Sequence, residues 1–331
     1  MADNKGIIVF GEVVNNNLSS VTTEILGGGR KLADELGEEL SCVLITNELG
    51  DAAKQAVEYG ADKVFTVVDA LYKDYLNAPF AIALGKIVSE NNPRLVLFGQ
   101  TSTGRDLAPT MAFALGVGLA VDCLEIKLNS DKKFELTRSV YGGNAQATFT
   151  SEQIPQLATV RQKAMTPLAP DSSRKGEVVE VKVDIDAGTL KTKVLDTVKE
   201  EVAGIKLEDA GVIIAGGRGM GGDAGFKQLE ELANVFKGAV AATRPPCDNG
   251  WWPETSQVGL TGKIVSPDLY VAVAISGASQ HMAGCSGAKN IIAINKDPEA
   301  NIFKFARFGI VGDWKQVIPA FTEKVKKLIA G

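Results

Sequence analysis

Val212-Ile213-Ile214-Ala215-Gly216-Gly217-Arg218-Gly219-Met220-Gly221-Gly222 is the stretch that decides the fold of this chain. Val212 to Ala215 is apolar, short and partly β-branched, the mark of a buried strand. The glycines that follow fit G-x-G-x-x-G from Gly217 to Gly222, and Ala224 to Phe236 carries apolar residues at helical spacing. A glycine-rich turn between strand and helix lets backbone amides approach a phosphate at the helix start. Taken alone the motif is weak, because an unliganded turn can use the same glycines.

Downstream, the α/β rhythm continues. Ala239 to Ala242, Leu269 to Ile275, Asn290 to Ile294 and Gly309 to Val311 read as strands, and Trp314 to Ile329 as a closing helix with Lys324, Lys326 and Lys327 near its end. That order predicts a doubly wound parallel sheet, whose strand ends form a ligand crevice. Polar and glycine-rich pieces fall at those ends: Thr243-Arg244, Gln257 to Lys263, Ile275-Ser276-Gly277-Ala278 with Gln280-His281, and Ala293 to Asp297. An NAD site calls for an acidic residue at the end of the second strand. Thr243-Arg244 stands there instead, which leaves open a 2′-phosphate, and hence NADP, or a flat ring system against which a guanidinium can lie.

Upstream, strands at Ile7 to Phe10, Ser41 to Thr46, Lys63 to Val68 and Arg94 to Phe98 alternate with helices at Val21 to Leu36, Asp51 to Tyr59, Ala78 to Ser89 and Gly104 to Leu115. This predicts a Rossmann-like, mostly parallel sheet. Val121 to Leu128, Lys133 to Val140, Ala145 to Thr150 and Gln156 to Val160 are hairpin-spaced, with Gly142-Gly143-Asn144 as a turn, and predict an antiparallel extension. An alternating strand is expected from Glu177 to Ile185, and Leu195 to Asp209 is the linker candidate. The fold class is therefore α/β with two domains, residues 1–205 and 206–331.

Bulk properties agree. A chain of 331 residues is long for one core, and 45% hydrophobic with 23% charged residues is ordinary globular composition. A net charge of -5 argues against a nucleic-acid partner. The opening run Ile7 to Phe10 is too short for a signal core or a membrane span, so the expectation is a cytoplasmic protein. Cys42, Cys123, Cys247 and Cys285 are scattered without CxxC, and His281 is the single histidine, so neither a disulfide framework nor a metal centre is expected.

Individual residues carry alternatives. Ser276 and His281 lack a G-x-S-x-G elbow and do not make a hydrolase. Asn295 can read an adenine edge, and Asp313 a ribose or an amide; either can instead cap a helix. Trp251 and Trp252, between prolines, either bury against their own domain or form a contact surface for a redox partner. Cys247 has no resolving cysteine beside it and no redox role is expected.

In order and spacing these blocks closely resemble the alpha subunit of electron-transfer flavoproteins, most specifically from Gly216 to Asp313. Gly99-Gln100-Thr101-Ser102-Thr103-Gly104-Arg105-Asp106, ahead of Ala108-Pro109, extends the resemblance to the N-terminal domain. It implies a heterodimer with a beta subunit, in which the C-terminal domain binds FAD. Carried over by position, Gly217, Arg218, Gly219, Thr243 and Arg244 would line FAD at the first two strand ends. Gln257, Thr261 and Gly262 would do so in the next loop, and Ser276, Gly277, Ala278, Gln280 and His281 at the third end. Asn295 and Asp313 would serve the adenosine end. Arg244 would lie over the ring system, Thr261 near its reactive nitrogen, and His281 near a pyrimidine carbonyl, tuning the flavin by hydrogen bonding or partial positive charge. Leu260 departs from a frequent Gln, and Thr243 from a frequent Ser.

The implied role is an electron carrier rather than an enzyme with its own organic substrate. It would run between an acyl-CoA-type or other flavin dehydrogenase and a ferredoxin, flavodoxin or quinone-linked acceptor. The resemblance leaves open whether the complex holds one FAD with AMP in the beta subunit, or two FADs that bifurcate electrons from NADH. The rivals are an NADP-dependent oxidoreductase and a non-redox adenine-nucleotide-binding module.

Overall fold

The computed structural model describes residues 4–143, 145–186, 188, 190–197 and 205–330. The chain divides into two compact units, Met1–Val140 with Gln146–Val198, and Tyr141–Ala145 with Lys199–Gly331. Of the expected linker, residues 198–204 lie outside the described residues, as does Asn144 of the expected turn.

The first unit opens with β1 (Ile7–Gly11), a small hairpin of β2 (Val13–Val14) and β3 (Asn17–Leu18), and helix α1 (Ser20–Leu36). It continues through β4 (Leu40–Thr46), α2 (Ala52–Glu58), β5 (Lys63–Val68), α3 (Asn77–Asn91), β6 (Leu95–Gly99) and α4 (Ser102–Leu115). Then come β7 (Leu119–Leu128), β8 (Phe134–Val140), β9 (Ala145–Phe149), β10 (Gln156–Val160) and β11 (Glu177–Glu180). Local chemistry sets the ends. The Ser19 hydroxyl caps α1 by accepting from the Thr22 amide, Gly37 closes it in the left-handed region at φ 69°, and the Thr101 hydroxyl caps α4.

Apart from the β2–β3 hairpin, these strands form one sheet of nine in the order β11-β5-β4-β1-β6-β10-β7-β8-β9. β1, β4 and β6 are buried along their whole length, as strands covered on both faces must be. The antiparallel extension begins as expected, β8 running against β7 with Ile126 opposite Leu136. Gln156 to Val160 differs from its expected direction. It enters between β6 and β7 and pairs parallel with both, Leu157 opposite Val96 and Leu119. The reason is burial: all five of its residues are buried, so it belongs in the sheet interior rather than on an edge. The strand at Glu177 stops at Glu180, four residues long, and pairs parallel with β5.

The second unit contains β12 (Val212–Gly216), α5 (Asp223–Val235), β13 (Ala239–Ala242), α6 (Arg244–Asp248) and β14 (Leu269–Val273). It ends with α7 (Ser279–Cys285), β15 (Ile291–Asn295), β16 (Phe308–Val311) and α8 (Trp314–Ala330). All its pairings are parallel, in the order β13-β12-β14-β15-β16. Side chains alternate between two apolar clusters. Ile213, Ala215, Tyr270, Ala272 and Ala293 share one face with Met282 and Cys285 of α7. Ile214, Val271, Val273 and Ile294 share the other with Phe226 and Leu229 of α5 and Trp314 and Ile318 of α8. The chain leaves β12 toward β13 on one side and returns to β14 on the other, so the switch point of the sheet lies between the ends of β12 and β14.

Among the described residues no helix is long and apolar enough to cross a membrane, and no group of three or more His, Cys, Asp or Glu is placed to hold a metal ion.

Candidate nucleotide-binding site

A cavity of about 540 Å³ opens over that switch point. Of the residues singled out in the sequence, Gly217, Arg218, Gly219, Thr243, Arg244, Gln257, Thr261, Ser276, Ala278, Gln280, His281 and Asn295 line it. A second cavity of about 160 Å³ adjoins it, shares Gly219 and Asn295, and is lined by Asp313, Lys296 and Lys315. Gly262 and Gly277 are not on either wall; they shape the loops behind them.

The approach of backbone to backbone explains the first glycine. A Cβ on Gly217 would stand 2.2 Å from the carbonyl oxygen of Ala274, which follows β14. Ala274 itself adopts φ 53°, unusual for a residue with a side chain, so the chain turns sharply where the two central strands end. Gly277 is required twice over: φ is 82°, and a Cβ would meet the Ile302 amide nitrogen at 2.3 Å. The Gly219 carbonyl accepts from the Trp314 indole at 3.1 Å, tying the glycine-rich loop to α8.

Positive charge lies at the mouth. Arg218 and Arg244 are both exposed, and the Arg244 Nε is 3.2 Å from Asp248 Oδ2, four residues along α6. The Thr243 side chain is buried beside them without capping α6. In the loop after β13, the Gln257 amide donates to the Thr261 hydroxyl at 3.0 Å.

His281 lines the cavity, where the sequence reading gave it a hydrogen-bonding or partly charged role beside a ligand. Its ring is buried, with Nδ1 3.0 Å from the Val258 carbonyl and Nε2 3.1 Å from the Tyr270 hydroxyl. Burial pushes its pKa down from 6.5 to about 4, against a smaller upward pull from the Val258 carbonyl. The residue is neutral near pH 7, and both ring nitrogens are engaged within their own domain.

Asp313 takes the capping alternative, while Asn295 braces the ends of two strands. The Asn295 amide donates to the Ile275 carbonyl at 2.9 Å and its oxygen accepts from the Asp297 amide at 3.0 Å, locking the end of β15 to the chain after β14. The Asp313 carboxylate accepts from the Lys315 amide at 3.0 Å and starts α8. Trp251 and Trp252 pack on their own domain; Trp252 stacks on Phe226 with ring centroids 5.2 Å apart. The buried Cys247 thiol is pushed up to about 11, which agrees with an inert role.

Sequence reading missed Ala274, which lines the cavity together with Leu260 and Asp297, two residues it had placed in site segments without a ligand role. Leu260 leaves an apolar side chain 65% exposed on the rim. Ala274 carried no signal, because a left-handed alanine has no mark in the sequence.

Comparison with known proteins agrees with this geometry. Residues 7–186 match the family model described as electron transfer flavoprotein domain, and residues 206–286 the one described as electron transfer flavoprotein FAD-binding domain. A protein named electron transfer flavoprotein subunit alpha from Thermoanaerobacterium thermosaccharolyticum is 43% identical over 99% of this chain and 100% of its own length. One of the same name from Megasphaera elsdenii is 41% identical over 99% of this chain and 98% of its own. A protein named FixB from Clostridium saccharobutylicum is 39% identical over 100% and 99% respectively.

Proposed function

The chain belongs to the electron transfer flavoprotein alpha-subunit family, and from that premise we propose that it binds one FAD across the strand ends of its C-terminal domain. Paired with an electron transfer flavoprotein beta subunit, it would carry electrons between a flavin dehydrogenase and an acceptor. The observation that carries the reading is a pair of cavities with shared walls over all five strand ends. Thr243, Gly217, Ala274 and Asn295 follow or end β13, β12, β14 and β15, and Gly312 follows β16. At the usual strand spacing this spans about 19 Å, enough for an extended dinucleotide rather than a mononucleotide.

The residues present fit the group. The close approach at Gly217 leaves backbone where a side chain would stand, and Arg218, Arg244, Lys296 and Lys315 bring positive charge to the rims of the two cavities. Bound there, FAD supplies one- and two-electron redox chemistry. The chain's part is to hold and tune. Arg244 sets a positive charge over the site, Gln257 orients the Thr261 hydroxyl, and Asn295 keeps the adjoining strand ends together. An NADP-dependent oxidoreductase needs a substrate base. The titratable groups on the main wall are Arg218, Arg244, His281 and Asp297, and His281 has no nitrogen to spare.

The test is titration of FAD, NADPH and AMP into the flavin-stripped complex. Saturable FAD binding that quenches flavin fluorescence, abolished in Gly217→Val, is expected. Preference for NADPH or AMP over FAD would overturn the reading. A one-flavin shuttle and a two-flavin complex that bifurcates electrons from NADH make the same demand on this chain, one FAD. The second nucleotide, AMP or FAD, would lie in the partner subunit.

A further inference from the structure

Tyr270 lies in the second position of β14, fully buried, and its hydroxyl is 3.1 Å from His281 Nε2. On the other side of the ring, Nδ1 lies 3.0 Å from the Val258 carbonyl. A carbonyl oxygen only accepts, so that contact is a hydrogen bond only if Nδ1 carries the proton. In a neutral ring Nε2 is then an acceptor, and the Tyr270 hydroxyl is placed to donate to it. The two contacts are consistent with each other in one tautomer alone.

The consequence reaches the cavity. Val258 precedes the loop that bears Leu260, Thr261 and Gly262, and the Leu260 amide donates to the Gln280 carbonyl at 2.7 Å. A Cβ on Gly284 of α7 would meet the Gly259 nitrogen at 2.3 Å, so helix and loop are in backbone contact. His281 is thus the strut between the sheet, through Tyr270, and the cavity loop, through Val258.

We infer that Tyr270 is a positioning residue: its hydroxyl fixes His281 as the neutral Nδ1–H tautomer, and that tautomer anchors the 258–262 loop on the cavity wall. His281 therefore offers a bound ligand a neutral ring and not a ring N–H. That the wall faces a flavin rests on the function proposed above; the tautomer does not.

Because the chain has a single histidine, the inference can be read directly. The full-length chain is labelled with ¹⁵N-histidine and studied with any partner subunit unlabelled. The nitrogen shifts should show a protonated Nδ1 and an unprotonated, hydrogen-bond-accepting Nε2 at neutral pH. Tyr270→Phe, which keeps the ring and removes the donor, should shift Nε2 toward a free acceptor and allow the Nε2–H tautomer to appear. A merely space-filling Tyr270 would leave both shifts where they were. An Nε2–H or doubly protonated ring in the unaltered protein overturns the inference, and should Tyr270→Phe fail to fold, that spectrum alone decides. Flavin content, measured on the same sample by absorbance, is a separate readout. The expected tautomer without flavin would sustain the inference and count against the proposed function; flavin with an Nε2–H ring would do the reverse.

Discussion

The peptide carbonyl of Ala274 occupies the space that a side chain on Gly217 would need: an ideal Cβ there would lie 2.2 Å from the Ala274 oxygen. These two residues directly follow the central strands β12 and β14, so their contact defines the floor of the crevice. The glycine-rich turn is therefore set first by strand-to-strand packing, and the room for a ligand follows from it.

Gly217→Ala is expected to destabilise the C-terminal domain by about 1–3 kcal/mol, the usual cost of overpacking, and to reduce bound FAD. Gly211→Ala is the control, since the nearest atom to its added Cβ is the Asp268 carboxylate at 3.6 Å. It should stay within about 0.5 kcal/mol of the unaltered protein. Urea denaturation and flavin absorbance check both.

Arg244 and Asp248 form an exposed pair four residues apart, so its contribution to stability is small. Its effect on a flavin is expected to be larger. Arg244→Ala should lower the one-electron potential of the bound flavin by on the order of 50 mV, about 1 kcal/mol of lost stabilisation of the negatively charged reduced form. Asp248→Asn should raise it, because the guanidinium is no longer partly neutralised. Spectroelectrochemical titration reads both signs.

Asn295→Ala removes two hydrogen bonds, one that ties the end of β15 to the Ile275 carbonyl after β14 and one that holds the turn at Asp297. A loss of about 1–3 kcal/mol is expected, together with weaker FAD retention. Asn295→Asp keeps the bond from the Asp297 amide but cannot donate to the Ile275 carbonyl at neutral pH, so it should fall between the two. Chemical denaturation and flavin release on dilution separate the variants.

His281 gives the fold an acid limb. Its folded pKa, about 4, is below the usual 6.5 because the ring is buried. A depressed pKa means that the unfolded chain takes up the proton first, so stability is fully present above about pH 6.5 and is lost as pH falls toward 4. The window is about 2.5 units at 1.36 kcal/mol each, a loss of roughly 3 kcal/mol. The groups facing the ring stay neutral throughout: burial pushes the Cys285 thiol up to about 12 and the Tyr270 hydroxyl well above its ordinary value. Melting temperature against pH should fall across this window, and His281→Gln should flatten that fall.

Much of the site was legible because its signals are local. A strand, a glycine-rich turn and a helix follow one another within Val212 to Phe236, and Thr243-Arg244 directly follows β13, where the lack of an acidic residue already counted against NAD. What escaped depends on contacts between distant segments. Gln156 to Val160 looks like the last strand of a meander, yet its unbroken burial takes it into the sheet interior. Tyr270 reads only as part of an apolar strand; that its hydroxyl meets His281, eleven residues on, follows from how α7 packs on the sheet. Asn295 and Asp313 were correctly placed at strand ends. Their side chains hold backbone, as Asn and Asp commonly do there.

The most direct measurement is the FAD and AMP content, per copy of this chain, of the complex isolated natively through a tag on it. The account predicts at least one FAD for each chain. One FAD with one AMP would describe a simple shuttle, and two FADs a bifurcating pair. An intact complex that holds no flavin would contradict the central claim.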